Sequence, residues 1–208
     1  MKTTAELSSH DRILRAAKLL FAQNGYENTS TVAIAREAGT SESQLMKHFG
    51  SKQGLLLAIL DHGWNGILDR VRATGNAVPS GDRMVAMLMA ATIEFENDEQ
   101  FKILAALEAR RVRKDSNEVI ISRGYRRFRE VFDRTLLEMR TEGLIRSDLN
   151  LDAVRAAILG FADGLWLDQV IARRAGMPSS YGFEDVRKVL QILLEFFQEV
   201  PTQHAKAS

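Results

Sequence analysis

The sequence predicts an all-α protein, with three short helices near the N-terminus and a larger helical bundle after them. Three observations predict it. Apolar residues recur at three- and four-residue spacing along almost the whole chain of 208 residues. Only three prolines, Pro79, Pro178 and Pro201, interrupt that pattern, too few for a many-turned β-sandwich. No segment alternates apolar and polar residues convincingly. Val119-Ile120-Ile121 favours β structure but sits inside a longer helical stripe.

The first helix presents Ile13, Ala17, Leu20 and Phe21 on one face. Ser8-x-x-Asp11 offers a capping box at its start, and Gly25 closes it as a left-handed residue. A short second helix carries Ile34, Ala35 and Ala38, with Ser30 or Thr31 as cap, and stops at Gly39. Ser41-x-x-Gln44 starts a short third helix whose inward face is Leu45 and Phe49. Ser51 caps a longer fourth helix bearing Leu56, Ile59, Leu60, Ile67 and Val71, with Trp64 nearby. Gly63 and Gly66 weaken that helix and suit a bend or a close contact.

The segment from Gly75 to Gly81 is the clearest break, and the domain boundary is expected there. Helices are then expected from about 82 to 96, onward to about 113, and from about 117 to 142. The last of these carries Tyr125, Phe128, Phe132, Leu136 and Met139. Glu142-Gly143-Leu144 ends it as a Schellman motif would. Asn150 caps a helix over about 151 to 175, terminated by Gly176 and Pro178. A final helix over about 183 to 199 places Val186, Leu190, Leu193, Leu194 and Phe197 inside.

Composition removes several function classes. With no cysteine there is no disulfide scaffold, thiolate metal site or cysteine nucleophile. No apolar run approaches the length of a membrane span, and the N-terminus has no signal-peptide core, so a cytoplasmic protein is expected. The four histidines form no His-Glu-x-x-His pair, and phosphate-loop, dinucleotide and nucleophile-elbow signatures are missing. The expectation is a protein that is not an enzyme and holds no cofactor or metal. Charge is nearly balanced, with seven Lys/Arg against five Asp/Glu in residues 1–52.

The informative stretch runs from Ser30 to Lys52. Two short helices meet across Gly39-Thr40-Ser41, the syntax of a helix-turn-helix. The second of such a pair fits the DNA major groove. With Leu45 and Phe49 turned inward, Glu42, Ser43, Gln44, Lys47 and His48 are left as candidates for the outward or edge surface. Gln44 suits an adenine edge, Glu42 suits cytosine N4, and Lys47 suits guanine or phosphate. Met46 suits a thymine methyl or the core. The hydroxyls of Ser30, Thr31 and Ser41 sit at helix N-termini, where phosphate oxygens are favoured, and Lys52 adds a charge there. The rival reading of His48 is an imidazole packed under the reader helix against a backbone carbonyl.

The run from Gly25 to Ser41, with its Ile34-Ala35-Arg36-Glu37-Ala38-Gly39 core, resembles the head of the TetR family of transcriptional regulators. So does the following Leu45-Met46-Lys47-His48-Phe49-Gly50-Ser51-Lys52, with Leu55-Leu56 in register. The likeness covers roughly residues 8 to 68. It implies a dimeric regulator, most often a repressor, whose C-terminal body dimerises and binds a small molecule that releases the operator. The expected division is therefore a helix-turn-helix DNA-binding domain over residues 1–74, with its motif at about 30–49, and a ligand-binding and dimerisation domain over residues 75–208. Three positions depart from the pattern. Met46 stands where the family usually has tyrosine, and Thr31 and Thr40 where apolar residues are usual. They leave open an alternative, a helical small-molecule-binding or interaction protein whose head has lost DNA recognition.

In the body, Phe95, Phe101, Tyr125, Phe128, Phe161 and Trp166 are candidates to line a ligand pocket, with ordinary core packing as the alternative. Ala153, Ala156, Ala157, Gly160 and Gly164 would let another helix approach closely. A homodimer through the last two long helices uses them naturally, and its two-fold axis matches a palindromic operator on double-stranded DNA. The arginines of 110–129 read as a solvated face with partners such as Arg126–Glu130.

Overall fold

The computed structural model describes residues 7–111, 122–178 and 181–198. Within them the chain forms α1 (Ser9–Asn24), α2 (Thr31–Glu37), α3 (Glu42–Phe49), α4 (Lys52–Asn76), α5 (Ser80–Asn97), α6 (Glu99–Arg111), α7 (Arg123–Thr141), α8 (Leu151–Ala175) and α9 (Phe183–Glu195). No strand occurs among the described residues. The β-favouring Val119–Ile121 and the expected helical start at 117 lie outside them, as do Arg113 and Lys114.

The chain separates into two compact units that interleave in sequence. One takes residues 1–69 and 93–128, the other 70–92 and 129–208. Three helices, α4, α5 and α7, contribute to both.

In the first unit, α1 to α3 close over Ile13, Ala17, Phe21, Ile34 and Leu45, all at most 1% exposed. Local chemistry sets the helix ends. Ser8, Ser30, Ser41 and Ser51 each accept a bond from the backbone N–H three residues on, satisfying donors that a helix start leaves free. Gly39, at φ 62°, turns the chain after α2. There Thr40 N–H donates to Ala35 C=O and Gly39 N–H to Arg36 C=O, the paired bonds of a Schellman stop. Gly25 differs from expectation. Its φ of 82° is positive, but its ψ of 153° takes it outside the left-handed helical region. The chain there leaves extended toward Tyr26, which packs on Phe21.

The same unit holds a second cluster, centred on Trp64 of α4. Phe95, Phe101, Tyr125 and Phe128 place their ring centres 5.0 to 5.5 Å from it. Gly63 serves close contact, since a Cβ there would lie 2.2 Å from the Phe101 ring. Gly66 meets nothing within 4 Å. Gly124 lets α7 approach α4, where its N–H donates to Asp61 Oδ1 at 2.7 Å.

In the second unit Met84, Met87, Leu88, Phe132, Leu136, Met139, Ile158 and Leu190 form the core. Gly75 is helical, so α4 runs through the expected break, which shrinks to residues 77–79. A Cβ at Gly75 would come within 2.9 Å of Met87, so glycine here serves helix packing and not a turn. Arg155 bonds both Asp133 and Asp152, and the Asp133 carboxylate above all raises its pKa. The Glu142-Gly143-Leu144 stop forms as expected, with Gly143 at φ 75° and Leu144 N–H on Met139 C=O at 2.8 Å. Asn150 caps α8 through two backbone N–H groups, and Gly176 ends it in the left-handed conformation. The last helix is shorter than expected, ending at Glu195, and Leu193 and Phe197 are half-buried rather than inside.

Among the described residues no helix is long and apolar enough to cross a membrane, and no three His, Asp or Glu residues gather as a metal site. Gly63→Ala is expected to lower the free energy of unfolding by about 1–3 kcal/mol through overpacking against Phe101. Gly66→Ala should raise it by up to about 1 kcal/mol, because open space leaves only the helix-propensity gain. Urea unfolding of the two variants checks both, and equal effects would refute the packing assignment.

Candidate nucleic-acid interface

The interface is built on α3. Eight residues make a helix too short to persist alone in water, so its place is set by its ends and by what it buries. Ser41 caps its start, with Oγ accepting from Gln44 N–H at 3.2 Å. Gly50, at φ 72°, closes its end through an N–H to Met46 C=O at 2.8 Å. Leu45 is fully buried and Phe49 half-buried. That seat turns Glu42, Ser43, Gln44, Met46, Lys47 and His48 to solvent, all exposed.

Neighbouring helices fix the seat further. Arg12 of α1 donates from Nε to Ala38 C=O at 3.1 Å, binding α1 to the turn that precedes α3. His48 Nε2 lies 3.0 Å from Ser9 Oγ, so its partner is a hydroxyl at the start of α1 and not a backbone carbonyl. The ring of His10 packs edge-on to His48, 5.7 Å away, and against Phe49 at 4.9 Å. His48 thus supports the end of α3 while staying exposed.

Several candidate side chains are engaged in ways the sequence did not signal. Thr31 Oγ1, at the first position of α2, donates to Glu42 Oε1. Lys52 is drawn back onto the head. Its Nζ lies 4.4 Å from the centre of the Tyr26 ring and donates to Glu27 C=O at 3.3 Å. That cation–π contact gives Lys52 a structural role beside any phosphate contact. Ser30 and Ser41 use lone pairs on backbone N–H groups, which leaves each O–H free to donate. Val32, 58% exposed on α2, is an outward apolar residue absent from the sequence-based set.

The aromatic candidates divide. Phe95, Phe101, Tyr125 and Phe128 gather around Trp64 in the first unit. Phe161 lies on α8 in the second unit, and the side chain of Trp166 is outside the described set. Trp64 itself was missed as a centre, although an aromatic residue beside a helical glycine was the available signal. Among the described residues Arg126 and Glu130 form no ion pair, so that expected partnership is absent.

At the start of α1, Ser8 and Asp11 cap each other. Ser8 Oγ donates to Asp11 Oδ2 at 2.8 Å and accepts from Asp11 N–H at 3.1 Å. The Ser8 hydroxyl first, and His10 beside it, hold the Asp11 carboxyl below the ordinary carboxylate range. A depressed pKa means that the stabilising contribution is present above the ordinary value and is lost as pH falls through the lowered one. Ser8→Ala should therefore raise the Asp11 pKa toward the ordinary carboxylate value, read by NMR titration of its side-chain carbon. An unmoved titration would remove Ser8 as the cause.

Comparison with known proteins places these features. Residues 13–59 match the family profile described as "Bacterial regulatory proteins, tetR family". The HTH-type transcriptional regulator UidR of Escherichia coli K12 is 25% identical over 168 residues, 81% of this chain and 84% of its own length. Among solved structures, the fatty acid degradation regulator FadR from Bacillus halodurans superposes with a TM-score of 0.76 at 20% identity, covering 91% of this chain and 96% of that one. FadR from Bacillus subtilis, solved in complex with stearoyl-CoA, gives 0.74 at 18% identity, covering 88% and 96%.

Proposed function

We propose that the chain is a DNA-binding regulator of transcription of the tetR family, a homodimeric, cytoplasmic repressor released from a palindromic operator by a small molecule. The observation that carries the DNA-reading part is the seat of α3. One buried leucine, capped ends and six outward polar or soft side chains make a short helix fit to enter a major groove. Residues 1–74 form the reading domain in this proposal, and residues 75–208 the effector and dimerisation domain. Ser30, Ser41, Ser43, Gln44, Lys47 and His48 contact phosphate or base edges, and Met46 with Val32 offers apolar contact to thymine methyls. Lys52 acts from its perch on Tyr26.

Dimerisation is supported by a face that the chain leaves bare. Ala153, Ala156, Ala157, Gly160, Gly164, Leu167 and Ile171 fall on one side of α8, all exposed, and a Cβ at Gly160 or Gly164 would meet nothing within 4 Å. Val189 and Ile192 of α9, with Phe196 at its C-cap, form a second exposed apolar stripe, Phe196 at 74%. Small residues on one helix and large ones on another suit close packing against a symmetry-related copy.

An effector with an apolar body is proposed for the C-terminal helices. Its support is the fold shared with a regulator solved with stearoyl-CoA bound, which makes that thioester the first probe.

Selection from a random double-stranded DNA pool is expected to return a palindrome of two half-sites. Recovery of no sequence would overturn the proposal. On the recovered site, Lys47→Ala should weaken binding and reduce the slope of log K against log salt by about one. Ala157→Glu should yield monomers by sedimentation and abolish tight operator binding. A dimer unchanged by that substitution would place the interface elsewhere.

A further inference from the structure

We propose that Thr31 is a positioning residue for operator specificity. Its hydroxyl holds the Glu42 carboxylate at the front of α3, so that Glu42 selects cytosine at one position of each half-site. The inference rests on the DNA-reading function proposed above and adds to it which base is read and what orients the reading group.

Glu42 is the first residue of α3 and the one acidic side chain on that helix. It is exposed, and its Oε1 accepts from Thr31 Oγ1, at the first position of α2, across the helix-turn-helix turn. A free glutamate in this place would swing into solvent, away from DNA phosphates. The bond from Thr31 opposes that swing. Thr31 is half-buried and β-branched, so its own rotamer is restricted and it makes a firm anchor. Its single O–H is spent on Glu42, so Thr31 is not a phosphate donor.

An ionised carboxylate can only accept hydrogen bonds. With Oε1 anchored, Oε2 is left to meet a base. The major-groove edges of guanine and thymine offer it acceptors, which repel it. Adenine offers the N6 amino group beside the N7 acceptor, a mixed edge. Cytosine offers the N4 amino group with no acceptor beside it, the complementary edge for a fixed anion. Held in place, Glu42 therefore discriminates among bases; released, it would only add repulsion to every sequence.

The test is the same pool selection, run on the full chain as wild type, Thr31→Val, Thr31→Ser and Glu42→Gln, with circular dichroism confirming helical content. Wild type is expected to return one strongly preferred cytosine in each half-site. Thr31→Val should keep the rest of the half-site but relax that preference about tenfold. Thr31→Ser, which keeps the hydroxyl, should retain it. Glu42→Gln should move the preference to adenine, because an amide can pair with N6 and N7 together. A Thr31→Val preference equal to wild type overturns the positioning role. A Glu42→Gln preference equal to wild type overturns the base assignment, and it does so even if Thr31→Val fails to fold. Wild type selecting no sequence overturns the DNA-reading function itself, a result distinct from either.

Discussion

The burial of Leu45 is the contact on which the rest of the head depends. An eight-residue helix has few ways to state its orientation, and one side chain at 0% exposure fixes its rotation about its own axis. Every outward residue of α3 faces out because Leu45 faces in. The bonds around it keep that rotation from drifting. Arg12 holds the turn before α3, Ser9 and His10 hold its last turn, and Lys52 ties the start of α4 to Tyr26. The proposed reading role asks for a helix held in one geometry, and many modest contacts on a short element serve that end.

The same logic runs in reverse at α8 and α9. There the chain does not use its apolar surface. Leu167, Ile171, Val189, Ile192 and Phe196 stand exposed beside a row of alanines and glycines. Scattered exposed leucines need no explanation, but a continuous row along single helix faces does. A homodimer satisfies that surface and supplies the two-fold symmetry that a palindromic operator asks for, so the two proposed properties support one another physically.

Much of the architecture could be read from short-range chemistry. The serines at 8, 30, 41 and 51, the stop at Gly143-Leu144 and the limits of α8 at Asn150 and Gly176 all lie where caps and glycines place them. The buried stripe of α7 followed from spacing alone, with Phe128, Phe132, Leu136 and Met139 inside. Glycine was the ambiguous letter. Gly75 reads as a turn but is helical, because the helix that crosses it needs the missing side chain. Gly63 and Gly66 look alike in sequence, yet one faces Phe101 and the other open space.

What a chain of letters settles, then, is whatever depends on residues three or four positions apart: where helices begin, where they stop, and which stripe is apolar. Those interactions close within one turn, so spacing is enough to see them. The tie from Thr31 to Glu42, the seat of Lys52 on Tyr26 and the gathering of aromatics around Trp64 join residues from 11 to 64 positions apart. Which polar group meets which across such gaps depends on how the helices pack, and only the folded structure decides it.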